Sequence, residues 1–198
     1  MSDTYLTLAA PSEGLYKEKM SKFISFAFPV ESGAEAKSKI AEIQKRYHDA
    51  RHVCWAYMIG SARTEFLSSD NGEPSGTAGK PILGQINSFG LTDVVIVVVR
   101  YFGGIKLGTS GLIVAYREAA REALEAATIV ERHDMTDISF TFPYISMNEV
   151  MKLVKGGEVE IKSQIFDNSC EMTLSVRADF ADGIISRLSD IDGVTLKN

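Results

Sequence analysis

Residues 94–99 read V-V-I-V-V-V, six β-branched aliphatics with no polar alternation. Such a run predicts a strand buried on both faces. It is about a third of the ~20 residues a membrane-spanning helix needs. The pattern then changes within one residue. Arg100, Tyr101 and Phe102 lead into Gly103, Gly104, Lys106, Gly108 and Gly111, and a helical period begins directly afterwards. Strand, glycine-rich turn and helix start together bring backbone N–H groups and a cation to one place.

Around that unit the chain alternates between strand and helix patterns. Residues 4–8 alternate weakly and predict a first strand, broken by Pro11, Ser12 and Gly14. Residues 16–28 predict a second, with Phe23, Ile24, Phe26 and Phe28 as its bulk and Pro29 as its end. Ser32 and Glu35 form a capping box, so a helix should begin at Gly33 and carry the stripe Ala36, Ile40, Ile43 and Tyr47. Residues 53–59 predict a third strand, with 63–67 as its pairing partner. Residues 68–79 are a long loop dense in turn formers, and Pro81 suits the first turn of a short helix over 82–89. After the central strand and glycine loop, Thr109 or Ser110 should cap a long helix. Its Leu112, Tyr116, Ala119, Ala123 and Ala127 share a face opposite Arg117, Glu118, Arg121, Glu122 and Glu125. That alanine-rich face predicts close packing on a sheet. Residues 128–133 read as a hinge. Beyond it come a strand at 135–142, a helix at 146–155 stopped by Gly156-Gly157, and strands at 158–166 and 170–176 joined by an Asp167-Asn168 turn. A helix at 179–190 and a strand at 194–196 complete the order β-α-β-β-α-β, the ferredoxin-like split βαβ. The expected fold class is therefore α/β (α+β) in two domains, 1–132 and 133–198.

Composition narrows the function classes. The chain has 198 residues, 45% apolar and 24% charged, ordinary for a soluble globular protein. The first ten residues lack a basic stretch and a long apolar run, so no secretory signal is expected. Cys54 and Cys170 are far apart, each in a strand pattern, which suggests buried reduced thiols in a cytoplasmic protein. The net charge of −5 is uneven: residues 1–133 carry 15 basic and 15 acidic side chains, residues 134–198 carry 6 and 11. A nucleic-acid surface would have to be a local patch on the first part.

Two loops hold the candidate chemistry. Around 103–111 there is neither a Walker G-K-[S/T] nor a G-x-G-x-x-G. The glycines Gly103, Gly104 and Gly108, with Lys106, Thr109 and Ser110, stand at a strand-to-helix junction, where free N–H groups and the helix dipole favour an anion. The competing reading is a turn that needs glycine for positive φ. In the loop at 70–79, Asp70, Glu73, Ser75 and Thr77 could hold a metal or run acid–base chemistry. No histidine or cysteine is interleaved, and a solvated or binding loop fits better. Arg100, Tyr101 and Phe102 interleave a cation with aromatics, which suits base stacking beside a phosphate, although one of the two rings should fold into the core. His48, His52 and His133 have no metal spacing, and Ser110 is not in a nucleophile elbow. No catalytic residue, metal or cofactor is expected.

Four segments are more specific: S-K-F-I-S-F-A-F-P-V at 21–30, H-V-C-W-A-Y at 52–57, N-G-E-P-S-G-T-A-G-K-P-I-L at 71–83 and V-V-V-R-Y-F-G-G-I-K-L-G at 97–108. In this order they resemble the IMPACT family, in its bacterial YigZ-like branch. The resemblance implies a first domain like domain IV of elongation factor G and a second like its fifth domain. It also implies a translation-related role, since eukaryotic members modulate, through partner binding, a kinase pathway that controls initiation. It carries over no catalytic residue. The family glycine loop often reads L-G-x-G-G-L; here Ser110 replaces a glycine. No RWD domain of the eukaryotic kind precedes the motifs, so kinase-pathway regulation is not carried over. The expected function is binding of RNA or the ribosome through the two loops, with a translation factor as a further candidate partner and no membrane contact. The alternative is an enzyme acting on a small phosphorylated or peptide-like substrate in the same cleft. An open basic-aromatic surface would favour the first, a closed pocket with a paired acid and base the second. The sequence leaves the oligomeric state open.

Overall fold

The computed structural model describes residues 4–157, 159–167 and 169–197. In chain order the elements are β1 (Thr4–Leu8), β2 (Ser12–Glu18), β3 (Ser21–Pro29), α1 (Gly33–Arg46), β4 (His52–Ile59), β5 (Glu65–Ser69), α2 (Gly79–Ser88), β6 (Val94–Tyr101), α3 (Gly108–Glu125) and β7 (Ile129–His133). They continue with β8 (Met135–Phe142), α4 (Met147–Lys155), β9 (Val159–Phe166), β10 (Cys170–Arg177), α5 (Ala178–Ser189) and β11 (Thr195–Leu196). The chain forms two compact units, one spanning Tyr5–Arg132 and the other built mainly from His133 onward.

In the first unit β6 is the middle strand of a five-stranded sheet, β2-β3-β6-β4-β5, antiparallel throughout. An antiparallel sheet commonly keeps one face wet; this one is covered on both. Val94, Ile96 and Val98 point into a cluster with Ile82 and Ile86 of α2 and Leu112, Tyr116, Ala119 and Ala123 of α3. Val95, Val97 and Val99 point the other way, against Ile40 and Ile43 of α1 with Phe26 and Tyr57. All six side chains at 94–99 are 0% exposed, which contributes on the order of 10 kcal/mol of apolar burial before the entropy of ordering is counted.

Ser32 caps α1 as its spacing predicts: its hydroxyl accepts from the Glu35 N–H at 3.2 Å, while the Glu35 carboxylate accepts from the Glu31 N–H at 2.8 Å. The alanines of α3 lie flat on the sheet. A Cβ on Gly14 would stand 2.5 Å from the Ala123 backbone nitrogen, so Gly14 lies inside β2 and lets helix and strand approach, rather than breaking a strand.

Four expectations change. Residues 12–28 form a hairpin of two strands, because Lys19 (φ +44°) and Met20 (φ +66°) make a two-residue turn with both central residues left-handed. Residues 129–133 are the strand β7, paired with β1, and not a hinge. The helix α2 begins at Gly79, ahead of Pro81. Neither Thr109 nor Ser110 caps α3: Leu107 occupies the cap position, no side chain among the described residues caps it, and both hydroxyl residues lie in the first turn.

In the second unit the sheet order is β11-β8-β10-β9, every pair antiparallel. This is the ferredoxin-like βαββαβ arrangement. Phe140, Phe142, Met172, Leu174 and Val176 meet Val150 of α4 and Leu188 of α5 in a separate core. Glu158, expected as the start of β9, and Asn168, half of the expected turn, lie outside the described residues.

Candidate anion-binding cleft

The alternation of β6 continues past Val99 and sorts the three residues that follow. Arg100 falls on the α3 side. Tyr101 falls on the α1 side, where its hydroxyl donates to the Asp49 carboxylate at 2.8 Å. Phe102, just beyond the strand, is 54% exposed. Arg100 is 6% exposed. Its guanidinium donates to a Glu73 carboxylate oxygen at 2.6 Å and lies near the Phe23 and Phe102 rings, 5.6 and 5.7 Å from their centroids. The same Glu73 oxygen accepts from the Tyr116 hydroxyl at 2.8 Å. Tyr116 in turn lies 3.4 Å from the Cys54 thiol, which also reaches the Asp70 carbonyl at 2.9 Å. A buried charge is tolerable when paired and hydrogen-bonded, and Glu73 supplies the pairing.

The loop that delivers Glu73 is organised from within. The Asp70 carboxylate accepts from the N–H groups of Gly76 (2.7 Å), Ala78 (3.0 Å) and Gly79 (2.8 Å), and so caps α2 from outside the helix. Burial works against its charge, but the Gly76, Gly79 and Ala78 bonds and Lys80 outweigh it, holding the carboxyl below its ordinary range. Thr77 donates its hydroxyl to the Pro74 carbonyl at 2.6 Å. Asn71, Gly72 and Gly76 take positive φ. The Asn71 side chain accepts from the Val53 N–H, and its carbonyl accepts from Nδ1 of His52, both at 3.0 Å.

Between this loop and the start of α3 lies a cleft of about 390 Å³. The sequence singles out six of its residues: Glu73, Arg100, Phe102, Lys106, Gly108 and Thr109. Others it singles out lie elsewhere. Asp70 and Thr77 hold the loop together, Ser75 is exposed outside the cleft lining, and Tyr101 belongs to the opposite face of the sheet. Gly103 faces the β2–β3 turn, where a Cβ would collide with the Met20 backbone. Gly104, at φ +88°, shapes the turn, and Ser110 lines a different depression beside Lys19.

The sequence reading missed Arg51, His52, Pro74, Leu107 and Leu112 as cleft residues. For His52 the signal was strand pairing: it stands directly opposite Arg100 in the β4–β6 register.

The lining is cationic. Arg51, Arg100 and Lys106 surround one carboxylate, and that carboxylate already serves Arg100 and Tyr116. Cys54 does not offer a nucleophile. Burial, with a smaller contribution from the Glu73 and Asp70 charges, pushes its thiol up to about 12, although Tyr116 and Arg100 oppose this. Burial and the Cys54 and Glu73 neighbours push the Tyr116 hydroxyl far above its ordinary value. Among the described residues no group of three or more His, Cys, Asp or Glu is placed to hold a metal. The arrangement offers positive charge to an anion, with the exposed Phe102 ring beside it.

Residues 19–124 match the family described as the Impact N-terminal domain. A Haemophilus influenzae protein named as an IMPACT family member is 34% identical over 175 residues, covering 87% of this chain and 84% of its own. Escherichia coli YigZ is 34% identical over 154 residues, covering 77% of this chain and 76% of its own. A crystal structure described as that of a hypothetical protein superposes with a TM-score of 0.76 at 29% identity, covering 99% of this chain and 97% of the other.

Proposed function

Because the chain belongs to the IMPACT family, we propose that it is a translation-associated protein of the cytoplasm that binds RNA, free or in the ribosome, through the cleft of its first unit. One observation carries this reading. The cleft is open and gathers Arg51 and Lys106 around the start of α3, which no side chain caps among the described residues, with Phe102 exposed beside them. Cations and a helix N-terminus suit phosphates, and an exposed ring suits an unstacked base. The enzyme alternative has less support, since Glu73 is committed to Arg100 and Tyr116 and Cys54 stays protonated at neutral pH. Among the described residues no helix is long and apolar enough to cross a membrane.

The test is binding of single-stranded RNA and of purified ribosomes at two salt concentrations. Lys106→Ala should weaken binding across many sequences. It should also flatten the plot of log affinity against log salt by about 0.7, the share of one phosphate contact on a single strand. Absence of any RNA or ribosome binding at low salt overturns the reading.

A further inference from the structure

Building on the RNA-binding reading above, we infer that the cleft receives the terminal phosphate of an RNA end, a phosphomonoester, rather than a phosphodiester within the strand.

The helix start supplies the first reason. α3 is 18 residues long, no side chain caps its first turn among the described residues, and its first two residues, Gly108 and Thr109, line the cleft. Its dipole and free N–H groups favour an anion. Arg100 supplies a second, independent one. Its side chain is 7% exposed and lines the same cleft, and its Nε has no hydrogen-bond partner among the described residues. A buried guanidinium N–H without an acceptor is costly, and an anion seated at the helix start brings acceptor oxygens to that wall.

Charge then selects between the two kinds of phosphate. Glu73 neutralises Arg100, while Arg51 and Lys106 form no ion pair among the described residues. With the helix end, which behaves as roughly half a positive charge, they exceed what one phosphodiester carries. A terminal phosphate, by contrast, carries about −1.5 to −2 near neutral pH.

The lining also limits the site to one nucleotide. The rings lining the cleft among the described residues are those of Phe102 and His52, and Phe102 is the exposed one. One base can stack on Phe102 beside one phosphate, and no second exposed ring lines the cleft among the described residues. That is the layout for a chain end.

A free nucleotide offers the same phosphate and base, so the test separates the two sources. A short single-stranded RNA, labelled internally, is prepared with a 5′-phosphate, with a 3′-phosphate and with hydroxyls at both ends. Binding is followed by fluorescence anisotropy at low salt, with nucleoside 5′- and 3′-monophosphates as competitors. One phosphorylated form should bind about tenfold more tightly than the hydroxyl-ended RNA, the loss of one charge-assisted contact. Arg51→Ala and Lys106→Ala, both outside the core, should close most of that gap without changing Tm. Lys37→Ala, which removes a cation from α1 on the other side of the sheet, should keep it. If all three RNAs bind alike and Lys106→Ala still weakens them equally, end recognition is wrong while RNA binding stands. If a mononucleotide binds as tightly as the phosphorylated RNA, the RNA end is overturned as the ligand in favour of the free nucleotide. If no RNA binds, the functional reading on which this inference rests falls with it.

Discussion

Glu73 holds two donors at once, the Arg100 guanidinium and the Tyr116 hydroxyl, and its side chain is 4% exposed. Removing the charge strands Arg100. Glu73→Gln should therefore cost about 3–5 kcal/mol in urea unfolding, the usual penalty for breaking a buried pair. The double variant Glu73→Leu/Arg100→Met should cost less than Glu73→Gln alone, since a buried pair replaced by apolar residues is often near neutral. A double variant as damaged as the single one would show that the pair is not what sustains this wall. The pH response follows from Cys54. Burial raises its thiol from 9.0 to about 12 in the folded protein. Above pH 9 the unfolded chain releases this proton and the folded chain keeps it. The unfolded state then binds fewer protons, and stability falls as pH rises from about 9 to about 12. Urea midpoints measured across that range should decline, and Cys54→Ala should shallow the decline. An unchanged slope would mean that Cys54 is not shielded as described.

At the scale of elements, the α3–sheet contact is the most demanding. Ala119 and Ala123 are 0% exposed, and Gly14 is against Ala123. Ala123→Leu should overpack this contact and cost on the order of 1–3 kcal/mol; a wild-type urea midpoint and slope would place the helix elsewhere. The alanine stripe made that helix legible in the sequence, as Ser32 and Glu35 did for α1 and the aliphatic run did for β6. The β2–β3 hairpin was not legible, because its left-handed positions are Lys19 and Met20 and carry no Gly or Asn signal. β7 was hidden for another reason: I-V-E-R-H alternates too briefly, and its partner β1 lies at the far end of the unit in sequence. The cleft was half legible. Lys106, Gly108 and Thr109 follow from one contiguous motif, and Glu73 and Arg100 from two. That Glu73 and Arg100 bind each other, and that Arg51 and His52 stand beside them, depends on pairing of β4 with β6, which no local pattern encodes.

At the scale of the whole molecule, the two units differ in core and in charge. Both apolar clusters of the first unit lie within Tyr5–Arg132, and the excess of acidic side chains lies in 134–198. A chain shortened after His133 keeps β7 and should fold. Its RNA affinity should show nearly the same salt slope as the full chain, since acidic surface makes no phosphate contacts. A markedly shallower slope would assign phosphate contacts to the second unit. The central strand has a further consequence. Its six aliphatic side chains are buried alike on both faces, so they carry almost no information about alignment: a shifted strand would find equally oily surroundings. A one-residue slip is normally punished by turning apolar groups to water, and here it would not be. The residue that marks the correct position is Arg100, the one charged side chain in β6, which finds a carboxylate in a single place. The ruler for strand alignment and the wall of the cleft are therefore the same side chain.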